Sequence, residues 1–222
     1  MLTLQKRRAL RSTSDVSKSL ILFFVVLHFS ACRQATESHP EAHSPQTDTL
    51  TPNQISLLQP GDIICRRGFG MVSELVASFA SENGEISHCG ILIKKPTEWL
   101  VVHSTSQAVS EREGLQRTSL HQFMAHSRRG SIKVFRLKTN PENKLTFARK
   151  TDSISQLSIP FDNQFDLQDA SELYCTELLQ VLLKQAGVEI QLDYRMFEER
   201  PVLTFHAFGD TSLFESVLFS TK

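Results

Sequence analysis

The apolar positions of the chain change period several times. Residues 20–27, Leu-Ile-Leu-Phe-Phe-Val-Val-Leu, form one continuous apolar run behind a basic stretch, and eight to ten apolar residues are too few to span a bilayer as a stable helix. From Arg33 to about Asn53 no apolar period is visible, and Ser, Thr and Pro dominate, the composition of a flexible tether. Beyond Ile55 the pattern becomes that of a folded domain. Pro60-Gly61 marks a turn feeding a short apolar run at 62–66, suited to a strand. Met71, Leu75, Val76 and Phe79 recur at helical spacing. Residues 86–93 and 99–103 read as two strands joined by a turn at 94–97, and 132–137 as another. Pro141 opens a helix running toward Leu157. A second, strongly apolar helix is predicted over 173–186, with Gly187 as its C-cap. Most links between the predicted strands are too short for helical crossovers, so the expected class is α+β with a mainly antiparallel sheet packed against helices.

Composition narrows the function classes. The chain has 222 residues, 40% of them hydrophobic and 22% charged, which is ordinary for one globular domain. Its 24 Lys and Arg balance 24 Asp and Glu, so no basic field exists to recruit nucleic acid, and none is expected as a partner. The balance is uneven, because residues 1–31 carry Lys6, Arg7, Arg8, Arg11 and Lys18 against Asp15 alone, and the remainder is net negative. A basic stretch, an apolar run and then Phe29-Ser30-Ala31-Cys32 read as an export signal that ends at a cysteine. This segment resembles the bacterial lipobox. The resemblance implies lipid attachment at Cys32, a signal peptide over 1–31, a tether over 32–53, and a domain over 54–222 held at a membrane of the cell envelope. Arg33, rather than Asp, after Cys32 favours the periplasmic side of the outer membrane in a cell with two membranes.

Cysteine and histidine carry the candidate chemistry. Apart from Cys32 there are three cysteines, Cys65, Cys89 and Cys175, an odd number that leaves at least one free thiol. Cys175 sits where Asp169-Ala170-Ser171-Glu172 gives way to the apolar helix, so its sulfur is expected near a helix N-terminus, where unpaired N–H groups favour a thiolate. Cys65 and Cys89 lie in predicted strands and read as small buried hydrophobes, with a mutual disulfide as the alternative if their strands are neighbours. A nucleophilic cysteine needs a base and an orienting partner. His88 and His103 fall on successive predicted strands, where antiparallel pairing would bring the two rings side by side. His121 and His126 are expected at the surface with Arg128 and Arg129. No His-Glu-x-x-His, paired Cys-x-x-Cys, Gly-Lys-Ser/Thr or Gly-x-Ser-x-Gly element is present, so no metal site or cofactor is expected.

Four elements in fixed order, Gly61-Asp62-Ile63-Ile64, Ser87-His88-Cys89-Gly90-Ile91, Val102-His103-Ser104 and Tyr174-Cys175-Thr176-Glu177-Leu178, resemble the YiiX/YaeF-like permuted papain-fold cysteine hydrolases. These are circularly permuted relatives of NlpC-type cell-wall hydrolases, and lecithin retinol acyltransferase belongs to the same wider group. The resemblance covers about 58–187, and Pro160-Phe161-Asp162 is similar to an aromatic-aspartate element that precedes the family's cysteine. It implies a circularly permuted papain-like fold, Cys175 as nucleophile, His88 as general base, and His103 as the third, orienting member, with Glu111 or Glu113 as a substitute for it. Tyr174 is expected either to line the site with its hydroxyl or to pack in the core, and Glu177 and Asp162 to be structural. The expected reaction is cleavage of an amide or ester in a cell-wall peptide or an N-acyl or lipid substrate, by a monomer, with acyl transfer to an acceptor other than water as a variant. Phe69, Met71, Phe161 and Phe165 are candidates to line an acyl groove. The alternative expectation is a catalytically silent lipoprotein that keeps the fold to bind wall fragments or lipids.

Overall fold

A computed structural model describes residues 48–219. The signal, Cys32 and most of the tether expected from the sequence lie outside the described residues. The chain is already packed at its first described positions: the buried Asp48 accepts from the Ser131 and Ile132 N–H groups at 3.0 and 2.9 Å, and Leu50 is buried. A short helix follows, α1 (Pro52–Ser56), with Thr51 as N-cap and Pro at its start. Packed structure thus begins ahead of residue 54, inside the segment that reads as tether. Burying two acceptor-satisfied backbone donors requires a fixed Asp48, which composition alone does not reveal.

Six antiparallel strands build one sheet in the order β4-β3-β2-β1-β5-β8. They are β1 (Ile63–Arg66), β2 (His88–Lys94), β3 (Trp99–Thr105), β4 (Gly114–Ser119), β5 (Lys133–Leu137) and β8 (Phe214–Phe219), and a separate hairpin pairs β6 (Tyr194–Phe197) with β7 (Arg200–Leu203). The helices are α2 (Gly70–Ala80), α3 (Leu120–Ala125), α4 (Pro141–Ile154) and α5 (Cys175–Gln185). The α+β class and the central strands agree with the apolar pattern. β1 and β2 lie inside the sheet and read as near-continuous Ile, Leu and Cys because both of their faces are covered.

The pleat sends alternate side chains into two cores. Ile63, Cys65, Cys89, Ile91, Ile93 and Val102 face Phe147 of α4 and Leu178, Leu179, Leu182 and Leu183 of α5. Ile64, Leu92 and Val101 face Leu120, Phe123 and Met124 of α3, with Leu50 and Leu58. Helix α5 ends as its sequence predicts: Gly187 adopts φ 71°, its N–H bonds the Lys184 carbonyl at 3.1 Å, and the Val188 N–H bonds that of Leu183 at 3.0 Å. Helix α2 departs from expectation. Its Met71 and Leu75 are exposed, while Ala77 and Ala80 are buried and Val76 and Phe79 are partly so, so the apolar rhythm there does not mark the inner face.

Gly90 controls how closely β2 and β3 approach. A Cβ at this position would lie 2.5 Å from Val101 Cγ1 and 3.0 Å from both His103 Cβ and the Val102 carbonyl oxygen. The glycine of the Ser-His-x-Gly element is therefore a steric requirement of the neighbouring histidine strand. Gly90→Ala is expected to cost about 1–3 kcal/mol of stability through overpacking, read as a lower urea midpoint, and to displace the His103 ring resonances in an NMR spectrum.

Candidate active site

Two adjacent residues of β2 serve two different faces. His88, the first residue of the strand, turns toward Phe123, with ring centroids 5.8 Å apart, and Cys89 turns toward α5. On the His88 side the expected pairing of rings is present. His88 Nε2 lies 2.9 Å from His103 Nδ1, and His103 Nε2 lies 3.0 Å from Thr118 Oγ1 on β4. In the tautomer pair in which Thr118 accepts from His103 Nε2–H, His103 Nδ1 accepts from His88 Nε2–H and His88 Nδ1 keeps its lone pair; with Thr118 as donor the order reverses. Neither carboxylate considered as a substitute partner bonds His88: Glu113 Oε1 accepts from Asn163 Nδ2 at 3.1 Å, and Glu111 lies in the cleft lined by Arg66, His103, Thr118, Phe123 and His126.

Arg66 is the residue that the sequence reading passed over. Its guanidinium lies 4.6 Å from the Phe123 ring centroid, and its Nη1 donates to the Phe123 carbonyl at 3.0 Å. Burial, the Arg66 charge and His103 hold His88 well below the usual imidazole range. Burial, Arg66 and His126 push His103 down to about 3. Burial brings Arg66 itself down to about 10. An arginine ending an otherwise apolar strand, Ile63-Ile64-Cys65-Arg66, was the available signal.

On the other face, Cys175 opens α5 after an extended Tyr174, as expected from the sequence. It is half-buried and packs against the core. The Cys89 thiol donates to the Cys175 carbonyl at 3.6 Å, which sets it against the start of α5. Cys89 is the largest influence holding the Cys175 thiol below its ordinary value; burial opposes it, and backbone N–H groups of Cys89, Thr176 and Cys175 assist. Cys175, with burial, raises Cys89 in turn. Cys89 is therefore more than the inert strand hydrophobe that its Ile neighbours suggest. Cys65 stands directly across from Cys89 in the β1–β2 register, the adjacency a disulfide would need, yet all three thiols are free.

Buried polar groups fix the start of α5. The Asp162 carboxylate accepts from the N–H groups of Gln164, Phe165 and Asp166 at 2.7–2.8 Å, shaping the loop ahead of the helix. Glu177 accepts from the Tyr174 N–H at 3.3 Å, and burial together with the Asp162, Asp166 and Asp169 charges pushes it up to about 8. The Tyr174 hydroxyl accepts from the Leu203 N–H at 2.9 Å, its ring meets Phe165, and burial raises its phenol. Phe161 and Phe165 pack against the core, while Phe69 and Met71 stay exposed, so these four do not share one buried groove. His121 and His126 are exposed as expected. Arg128 is tied to Glu74 and donates to the Gly68 carbonyl, which corrects its reading as simple solvated surface. No hydrogen bond joins His88 to Cys175.

A family profile described as permuted papain-like amidase enzyme, YaeF/YiiX, C92 family, matches residues 57–203, well over half of the chain. The chain belongs to this family. The match spans both histidine strands and the cysteine helix, and the amidase family has a solved neighbour of the same fold, the crystal structure of metalloprotein YiiX from Escherichia coli O157:H7. That structure superposes with a TM-score of 0.59 at 20% identity, covering 74% of this chain and 98% of the other. No curated protein matches the sequence. YiiX is described as a metalloprotein, but among the described residues here no group of three or more His, Cys, Asp or Glu side chains is placed to hold a metal ion. Nor, among them, is any helix long and apolar enough to cross a membrane.

Two outcomes follow from these environments. Cys89→Ala removes the neighbour that most lowers the Cys175 thiol, so the pH midpoint of Cys175 alkylation, followed by mass spectrometry, is expected to move upward. The second concerns the histidines, which stay neutral in the fold while unfolded rings bind protons below about 6.5. The unfolded state therefore binds more protons between that value and the folded value of His103, about 3, and stability falls as the pH drops through this window. The urea midpoint of His103→Gln is expected to decline less steeply with acid than that of the unaltered protein.

Proposed function

We propose that this permuted papain-like amidase is a cell-envelope cysteine hydrolase that opens an amide or ester bond through an acyl-thioester on Cys175. Its substrate class is a cell-wall peptide or an N-acyl or lipid amide, and lipid attached at Cys32 holds it at the membrane, on the periplasmic face of the outer membrane in a cell with two. The observation that carries this reading is the Cys175 sulfur itself, half-buried at the first turn of α5, with its thiol lowered by Cys89 and by backbone N–H groups. Such a thiol supplies the thiolate that acyl transfer needs.

The steps use groups already described. The Cys175 sulfur attacks the carbonyl carbon, and backbone N–H groups at the α5 start stabilise the developing oxyanion. His88 Nδ1 takes up the thiol proton and returns it to the leaving amine or alcohol, and water then releases the acyl group. His103, bridging His88 Nε2 and Thr118, holds the tautomer that leaves Nδ1 open and is a positioning residue. His88 and Cys175 share no hydrogen bond in the free protein, so this step requires His88 to leave its free-protein geometry, the bond to His103 included, when substrate binds. Because burial and Arg66 disfavour the imidazolium, the pair works from a neutral base rather than a standing ion pair.

A second reading, a catalytically silent envelope lipoprotein that binds wall fragments or lipids, is favoured by one observation, the lack of a hydrogen bond between His88 and Cys175 in the free protein. Hydrolysis of a panel of N-acyl amides, esters and cell-wall peptides separates the two. Under the hydrolase reading Cys175→Ala abolishes turnover, and His88→Ala lowers kcat by about 10²–10⁴-fold with far less effect on KM. Binding of the same ligands without turnover, unaltered in Cys175→Ala, would establish the silent lipoprotein instead.

A further inference from the structure

Three free thiols gather on the α5 side of the sheet, and only one of them is needed for acyl transfer. Cys65 and Cys89 are fully buried and face each other across β1 and β2, whereas Cys175 is half-buried. An oxidant entering from solvent meets Cys175 first. Cys89, 86 positions earlier in the chain, is the thiol placed against the start of α5, its S–H donating to the Cys175 carbonyl oxygen at 3.6 Å. No hydrogen bond joins Cys65 to Cys175. A second thiol in contact with a reactive one is the arrangement by which a sulfenic acid is captured as a disulfide before it oxidises further.

We propose that Cys89 is the resolving thiol of Cys175, so that a hydroperoxide converts the two into a reversible Cys89–Cys175 disulfide that silences the site and protects its sulfur. The inference rests on the reading of Cys175 as the reactive thiol. In the first step the Cys175 thiolate attacks the peroxide; an S–O bond forms, the O–O bond breaks, and the departing hydroxide or alkoxide takes up a proton. In the second, the Cys89 sulfur attacks the sulfenic sulfur; an S–S bond forms, the S–O bond breaks, and hydroxide leaves with the Cys89 proton as water. Two thiols are oxidised by two electrons in all, and one hydroperoxide is reduced to water and an alcohol, or to two waters when the oxidant is hydrogen peroxide. The product would tie the first turn of α5 to strand β2 and occupy the nucleophile, and a dithiol reductant would reverse it by thiol–disulfide exchange.

The test treats the full-length protein with a small excess of hydrogen peroxide, blocks remaining thiols, and maps non-reduced peptides by mass spectrometry. The expected result is a Cys89–Cys175 cross-linked peptide that dithiothreitol dissolves with full recovery of alkylatable Cys175. In Cys89→Ser, sulfinic and sulfonic forms of Cys175 are expected to accumulate about ten-fold faster, whereas Cys65→Ser should keep the cross-link. Irreversible oxidation of Cys175 in the unaltered protein at the Cys89→Ser rate, or a Cys65–Cys89 link with Cys175 left free, would overturn the proposal. The unaltered protein decides the matter even if a variant fails to fold. Amide hydrolysis lost in Cys175→Ala alongside irreversible Cys175 oxidation sinks the switch and leaves the hydrolase; a reversible cross-link without any turnover supports the thiol pair and sinks the hydrolase.

Discussion

The pleat of a single strand governs this site. His88 and Cys89 are consecutive residues at the start of β2, and a strand must send consecutive side chains to opposite faces. Cys89 thereby meets the cysteine helix on one side of the sheet, while His88 meets His103 and Phe123 on the other. A slip of one residue in the β1–β2 or β2–β3 register would exchange these roles and carry Ile91 and Leu92 into the wrong cores. The two hydrophobic clusters therefore enforce this register, and Gly90 lets β3 come close enough for the imidazoles to touch.

Electrostatics in the site are arranged without a carboxylate at the histidines. Arg66 supplies a fixed positive charge at the end of β1, anchored on the Phe123 ring and carbonyl, and it works against protonation of both imidazoles. On the thiol side the acidity of Cys175 comes first from the neighbouring Cys89 and then from backbone donors, with burial opposing them. The same neighbour that acidifies the sulfur also stands ready to capture it, which links reactivity and protection in one contact.

Rigid polar anchoring keeps that sulfur in place. Asp162 collects three backbone donors and turns the loop through Phe165 at φ 55°, Glu177 caps back onto Tyr174, Ser104 of β3 donates to the Leu173 carbonyl, and the Tyr174 hydroxyl holds β7. Each is a buried polar group with a partner, and leaving any of them unpaired costs more than the bond contributes when made. They form a shell that fixes the α5 start without touching the reacting atoms.

Several features were legible in residues 54–187 taken alone. Apolar runs at 62–66, 86–93, 99–103 and 132–137 and the helical rhythm of 173–186 are local patterns, and burial on one or both faces writes them directly into composition. The adjacency of His88 and His103 was readable because two strands joined by a short turn must pair antiparallel. Others were not. The polar strand β4, which supplies Thr118, has no apolar alternation to mark it, and the packing of Asp48 depends on donors more than eighty positions away. Only the tertiary structure decided that Cys89 touches Cys175, that burial and then Arg66 disfavour the charged form of both histidines, and that Tyr174 binds Leu203. These contacts join residues distant in sequence, and their energetics depend on burial and orientation that no local period encodes.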